Sequence, residues 1–128
     1  MNIWKILKII GWIILVILLA LLLWWGFSWG KKAAQSRQIV KDSKTILNAL
    51  EYFYKDQNRY PSINEFNDQN VMRQYMNNFP PQQYASDSCS KSFDYQNLFR
   101  SDYELRICLP KAQGSFKQGW NAIKSPQK

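Results

Sequence analysis

Between Lys8 and Lys31 the chain carries no charged residue. Positions 9–30 form an uninterrupted apolar run of 22 residues. A helix needs about 20 such residues to cross a hydrocarbon core of about 30 Å. A core helix of a soluble domain keeps one polar face, and this run has none, so the segment is expected to be a transmembrane helix. A cleavable signal peptide has a shorter apolar stretch, about 7–15 residues, followed by small residues. Here the run closes on Trp24, Trp25 and Trp29, with Trp4 and Trp12 at its other end. Indole rings favour the membrane boundary, where the ring is apolar and its N–H meets water. The expectation is one retained anchor over residues 1–30.

The remaining 98 residues hold 15 Lys and Arg (17 in the chain, less Lys5 and Lys8) against 9 Asp and Glu, a net charge of +6. A domain of this size buries a modest core. Its apolar content is mainly aromatic, from Tyr52, Phe53 and Tyr54 to Phe116 and Trp120. Charge counting places more Lys and Arg after the anchor (Lys31, Lys32, Arg37, Lys41, Lys44) than before it, which taken alone puts the domain on the cytoplasmic side. The two cysteines, Cys89 and Cys108, argue the other way. With no histidine in the chain, one Cys pair does not make an ordinary four-ligand zinc site. A disulfide closing this loop would contribute about 3 kcal/mol and would persist outside the cytosol. The alternative is a pair of free, half-buried thiols.

Past the anchor, Ile39, Ile46, Leu50 and Phe53 recur at helical spacing, with Val40, Leu47 and Tyr54 beside them. No Pro or Gly interrupts residues 31–57, so the anchor and a helical stem form one helix. The stripe reads as a core face or, alternatively, as an assembly face between subunits. Asn58 suits a left-handed helix stop, and Tyr60-Pro61 an extended corner. Ser62 and Glu65 fit a capping box for a short helix with Phe66, Val71, Tyr75 and Met76 inward, ended by Pro80-Pro81. The period then changes to two. Tyr103, Leu105, Ile107 and Leu109 mark a strand, and Phe93 and Tyr95 mark one before it. Residues 97–102 connect them, and Trp120 to Ile123 supply a third. The fold class is α+β, a long helix packed on a small antiparallel sheet. The globular domain spans 31–123 (stem 31–57, short helix and sheet 58–123), and 124–128 form a frayed tail.

These residues resemble the type IV pilin and type II secretion pseudopilin group over about residues 30–123. The most specific part is the corner Asp56, Arg59, Tyr60, Pro61 after Ala49-Leu50 and Tyr54. Asn77-Asn78-Phe79-Pro80 is similar to the group's proline turn. The Phe93–Tyr95 and Tyr103–Leu109 stretches are similar to its hairpin, and Gly114-Ser115-Phe116 through Gly119-Trp120 to the terminal strand of cysteine-containing members. The N-terminus departs from the group. After Gly11, Trp12-Ile13-Ile14-Leu15-Val16 stands where prepilins carry a cleavage motif, and Val16 takes the place of the acidic residue used in assembly. The resemblance therefore implies a pilin-like domain on a plain anchor, or a divergent minor subunit, on the outer side of the cytoplasmic membrane.

Neither histidine nor a Gly-rich phosphate loop is present, so the usual general base, metal ligand and nucleotide cradle are missing. Asp94, Asp102 and Glu104 read as solvated charges at one end of a hairpin. The late loop 110–118 has no acidic residue, so the calcium site of some pseudopilins is not carried over. No enzyme, cofactor, metal or small-molecule substrate is expected. Two functions compete. One is a structural or accessory subunit of a pilus, competence or secretion assembly, with membrane lipid and other subunits, or copies of itself, as partners. The other is a module binding DNA or another anionic polymer through Lys91, Arg100, Arg106, Lys111 and Lys117, with phosphates on the cations and bases on exposed aromatic rings.

Overall fold

The computed structural model describes residues 2–82 and 89–126. The elements follow in the order α1 (Ile3–Gln57), α2 (Ile63–Asn67), α3 (Gln69–Met72), β1 (Phe93–Phe99), β2 (Asp102–Leu109) and β3 (Gly119–Lys124). By their contacts the residues group into two units, 1–31 and 32–128.

In the first unit the large apolar side chains of α1 are exposed, Leu19 and Trp25 among them. This segment is long and apolar enough to cross a membrane. Near its end the Ser28 hydroxyl donates to the Trp24 carbonyl at 3.3 Å. The Lys31 ammonium lies 4.8 Å from the centre of the Phe27 ring.

In the second unit α1 buries Ser36, Ile39, Ser43, Ile46, Leu50 and Phe53, spaced alternately by three and four residues, together with Ala49. The large members pack on the inner face of a three-stranded antiparallel sheet of order β1-β2-β3. That face consists of Phe93 and Tyr95 from β1, then Tyr103, Leu105, Ile107 and Leu109 from β2. Each fully buried Leu, Ile or Phe contributes about 1.5–3 kcal/mol. The two serines, which apolar periodicity passes over, lie on the same stripe. The Ser43 hydroxyl satisfies itself on the Val40 carbonyl. Ser36 Oγ accepts the Lys111 amide at 3.1 Å, joining the helix to the segment after β2.

Asn58 ends α1 with φ of 54°, and its amide donates to the Tyr54 carbonyl. The Ser62–Glu65 capping box forms, but the helix it starts is interrupted. Asp68 closes α2 in an extended conformation, and its side chain accepts the Asn70 amide to open α3. An Asp side chain that bonds its neighbouring backbone competes with helix propagation. As a result Met72, not Val71, is fully buried, while Phe66 and Met76 are buried as expected. The described helix ends before Pro80-Pro81, at Met72.

The hairpin is tighter than the expected connection of 97–102. Pairing continues to Phe99↔Asp102, with a bulge between Asn97 and Phe99. Asn97 belongs to the strand because its side-chain amide is spent elsewhere, donating to the Pro61 carbonyl at 2.8 Å. β3 pairs from Gly119↔Leu109 to Lys124↔Glu104. The Ser125 amide extends the ladder to the Tyr103 carbonyl, so ordered structure runs past 123; residues 127 and 128 lie outside the described residues. Gly114, φ +60°, occupies the turn position that demands a left-handed residue between Gln113 and Phe116.

Candidate interaction site

Three features of the second unit can meet another molecule: the outer face of the sheet, the Asp56–Pro61 corner and the open edge of β3.

On the outer face, Lys91, Asp94, Glu104, Arg106, Trp120, Asn121 and Ala122 line an open groove of about 460 Å³. The strand register places Asp94, Glu104, Arg106, Trp120 and Ala122 there, since Asp94 pairs with Arg106 across β1 and β2, and Arg106 with Ala122 across β2 and β3; Lys91 and Asn121 border the groove. Lys91 Nζ meets Asp94 Oδ1 at 2.6 Å, and Arg106 Nε meets Glu104 Oε1 at 2.6 Å. Two cations and two carboxylates cancel, leaving a polar floor beside one indole. Trp120 is 45 % exposed here and is not part of the core, because its even register position directs it outward.

Cys108 also sits on this outer register, opposite Trp120, yet it is fully buried. The cause is the disulfide to Cys89, with Cα atoms 5.9 Å apart, which lays the segment from Cys89 over the end of the strand. Of the two readings open for these cysteines, the bridge is the one observed.

The five proposed anion-binding residues are not gathered in one place. Lys91 and Arg106 share the groove, each in an ion pair. Arg100 lies in the β1–β2 turn, beside a separate concavity of about 650 Å³ lined by Arg59, Tyr60, Ser62, Ile63, Asn64 and Asn97. Lys111 follows β2, its amide on Ser36. Lys117 precedes β3, its amide and carbonyl held by the Asn121 side chain. The pairing acids were legible in the sequence: Glu104 and Arg106 share one strand face, and Lys91 and Asp94 sit three residues apart.

The assembly face requires a correction. Ile39, Ile46, Leu50 and Phe53 are between 0 and 2 % exposed and lie inside this chain's own core. The sheet covers the stripe, so it offers no surface to a second subunit.

In the corner each side chain has a structural task. The Tyr75 hydroxyl donates to Asp56 Oδ2 at 2.6 Å, which lowers the Asp56 pKa. Arg59 forks onto both Glu65 oxygens at 2.7 Å. That hydrogen-bonded pair, with help from the Ser62 amide, draws the Glu65 pKa down from 4.5 to about 2. The Tyr60 hydroxyl donates to Glu51 Oε1 at 2.7 Å, and the Tyr60 amide to the Arg100 carbonyl at 2.9 Å. The Tyr95 hydroxyl donates to the Pro61 carbonyl at 2.7 Å. Burial raises the pKa of Tyr60 and Tyr95, so both stay protonated donors. Among the described residues, no group of three or more His, Cys, Asp or Glu side chains is placed to hold a metal ion.

No protein-family model, curated protein or solved structure matches this chain.

Proposed function

We propose that the chain is a non-catalytic, single-pass protein of the cytoplasmic membrane with a pilin-like extracytoplasmic domain, acting as an accessory or minor subunit of a pilus, competence or type II secretion-like assembly. The observation that carries this reading is the arrangement of the second unit. The end of a long helix packs by a three/four stripe on a three-stranded antiparallel meander, and a disulfide pins the strand end. The exposed apolar segment of the same helix supplies the anchor, and the disulfide favours the oxidising side of the membrane. Because the stem stripe is consumed by the core, subunit contacts fall to the anchor helix and to the sheet. Nucleic-acid binding has weaker support, since Lys91 and Arg106 already hold carboxylates and the other cations are dispersed.

Photo-crosslinking in native membranes from Leu19, in the anchor, and from Ala122, on the outer sheet face, tests this. Specific adducts to membrane-embedded or extracytoplasmic proteins, or to a second copy, support the assembly role. Uncrosslinked monomer from both sites, or free Cys89 and Cys108 thiols in the native protein, would refute it.

A further inference from the structure

We infer that β3 is a docking edge that accepts an extended, acidic segment of a partner protein as a fourth strand of the sheet. This inference stands on the edge itself and holds for any assembly the chain joins.

The hydrogen-bond pattern of the meander fixes which backbone groups are free. The Cys108 amide donates to Ser92 on the β1 side, and the Ser125 amide donates to Tyr103 on the β3 side. In an antiparallel ladder a residue's N–H and C=O point the same way, and successive residues alternate. Even residues of β2 therefore serve β1 and odd residues serve β3. On β3, Gly119, Asn121 and Ile123 face β2, which leaves Trp120, Ala122 and Lys124 with N–H and C=O directed away from the sheet. Among the described residues none bonds these groups, and β3 is terminal in the strand order. A row of such groups is a template for an added strand.

The other edge is treated differently. Gln82 covers the start of β1, its amide on the Phe93 carbonyl and its oxygen on the Ser92 and Phe93 amides. Asn97 ties β1 to the corner, and a bulge distorts its end. Among the described residues nothing covers β3, and its pairing runs without a bulge.

Charge selects the occupant. After Glu104 the sequence contains no acidic residue, while Lys111, Lys117, Lys124 and Lys128 follow Arg106. Lys117 and Lys124 flank the open edge, and among the described residues neither makes an ion pair: Glu104, the cross-strand neighbour of Lys124, is held by Arg106 instead. Antiparallel pairing of two copies about Ala122 would set each Lys124 opposite the other copy's Trp120 and leave both lysines without a carboxylate, so self-addition gains nothing from the charge. DNA phosphates would suit the lysines but not the outward carbonyls. An extended peptide satisfies both groups. Its preferred pattern follows from the two faces of β3: acidic side chains beside Lys124 on the outer face, and apolar ones beside half-buried Ile123 on the inner face.

The test uses the full-length chain in nanodiscs of zwitterionic lipid. The probe is a short fluorescent peptide alternating Glu and Val. Controls are its Lys/Val counterpart, a form N-methylated at alternate amides, and a short DNA duplex. The expected result is saturable binding of the Glu/Val peptide, with slowed hydrogen exchange at the Trp120, Ala122 and Lys124 amides. Binding falls at least about tenfold on N-methylation, which keeps the charge but removes strand donors. It falls similarly for Lys117→Glu combined with Lys124→Glu, since attraction becomes repulsion. Ala122→Pro removes an N–H that the β2–β3 ladder does not use and is expected to abolish binding with the far-ultraviolet circular dichroism unchanged. If that variant misfolds, the methylated peptide still decides. Equal binding of the methylated peptide, unchanged exchange at the three amides, no binding at low salt, or tighter binding of the duplex would each overturn the inference.

Discussion

Replacing Leu50 by alanine separates a core face from a subunit face. Leu50 and its neighbour Ile46 are both 0 % exposed, and they meet the inner row of Tyr103, Leu105 and Ile107 in the same core. Truncation removes three carbons, worth roughly 2.4 kcal/mol at about 0.8 kcal/mol each. The helix and sheet cannot close fully on the vacancy, because the Tyr60 corner and the Ser36–Lys111 bond hold them at both ends. A residual cavity adds to the loss, and buried Leu→Ala changes range over about 2–5 kcal/mol. Taking about 3 kcal/mol, and about 4–8 °C per kcal/mol for a domain of this size, Tm should fall by roughly 12–24 °C. Thermal unfolding of the full chain in detergent micelles, followed by near-ultraviolet circular dichroism, reads this directly. Asn48→Ala, on the exposed side of the same helix, is the control and should lie within about 0.5 kcal/mol of the parent. A Leu50→Ala protein that melts within about 2 °C of the parent but loses self-association would show that the stripe faces another subunit, and the packing described above would be wrong.

Three further outcomes are expected. Paired Cys89→Ser and Cys108→Ser substitution, or reduction, should destabilise the domain by about 3 kcal/mol through the released loop, measured as a lower denaturant midpoint. Acid should weaken it through the Arg59–Glu65 pair. The folded-state Glu65 pKa, about 2, lies below the ordinary 4.5, so its contribution is complete above pH 4.5 and is lost as pH falls from there towards 2. Full conversion of that difference is about 3 kcal/mol. Solvent screening of a pair about one third exposed reduces the expected loss to about 1 kcal/mol, and Glu65→Gln should flatten stability over that pH range. Finally, Asn58→Ala should cost about 1 kcal/mol in chemical unfolding, because its φ of 54° is one that alanine adopts at a penalty, whereas Asn58→Gly should not.

Local chemistry was the most legible part of this sequence. The capping box, the Asn58 stop, the alternation of Tyr103 to Leu109 and the 3/4 stripe each depend on a few neighbouring residues, and each is present in the structure. Whatever depended on a distant partner was harder to read. Ser36 and Ser43 look like surface residues until Lys111 and the sheet are placed against them. Asp68 looks like an ordinary helix residue until its side chain takes the Asn70 amide. Asn97 looks like a strand breaker until Pro61 accepts its amide. The outer groove is a different case: a count of five basic residues omits the carboxylates two and three positions away that hold Arg106 and Lys91, and the scatter of the other three shows only in the fold. The face of Trp120 is likewise unreadable from the sequence, because an aromatic residue in a short strand carries no label for its face, and only pairing with Cys108 assigns one.

The Cys89–Cys108 bridge also fixes how the domain transmits load. A tension applied between residues 32 and 126 runs along the backbone to Cys89, crosses the two sulfurs and continues from Cys108. The β1–β2 hairpin lies off that line. The bypassed stretch is 19 residue steps, which at roughly 3.5 Å each withholds about 65 Å of extensible chain. In the oxidised protein the hairpin therefore cannot be drawn out, and it feels the pull only through the β2–β3 ladder. Reduction would return the hidden length and lower the force at which the sheet yields.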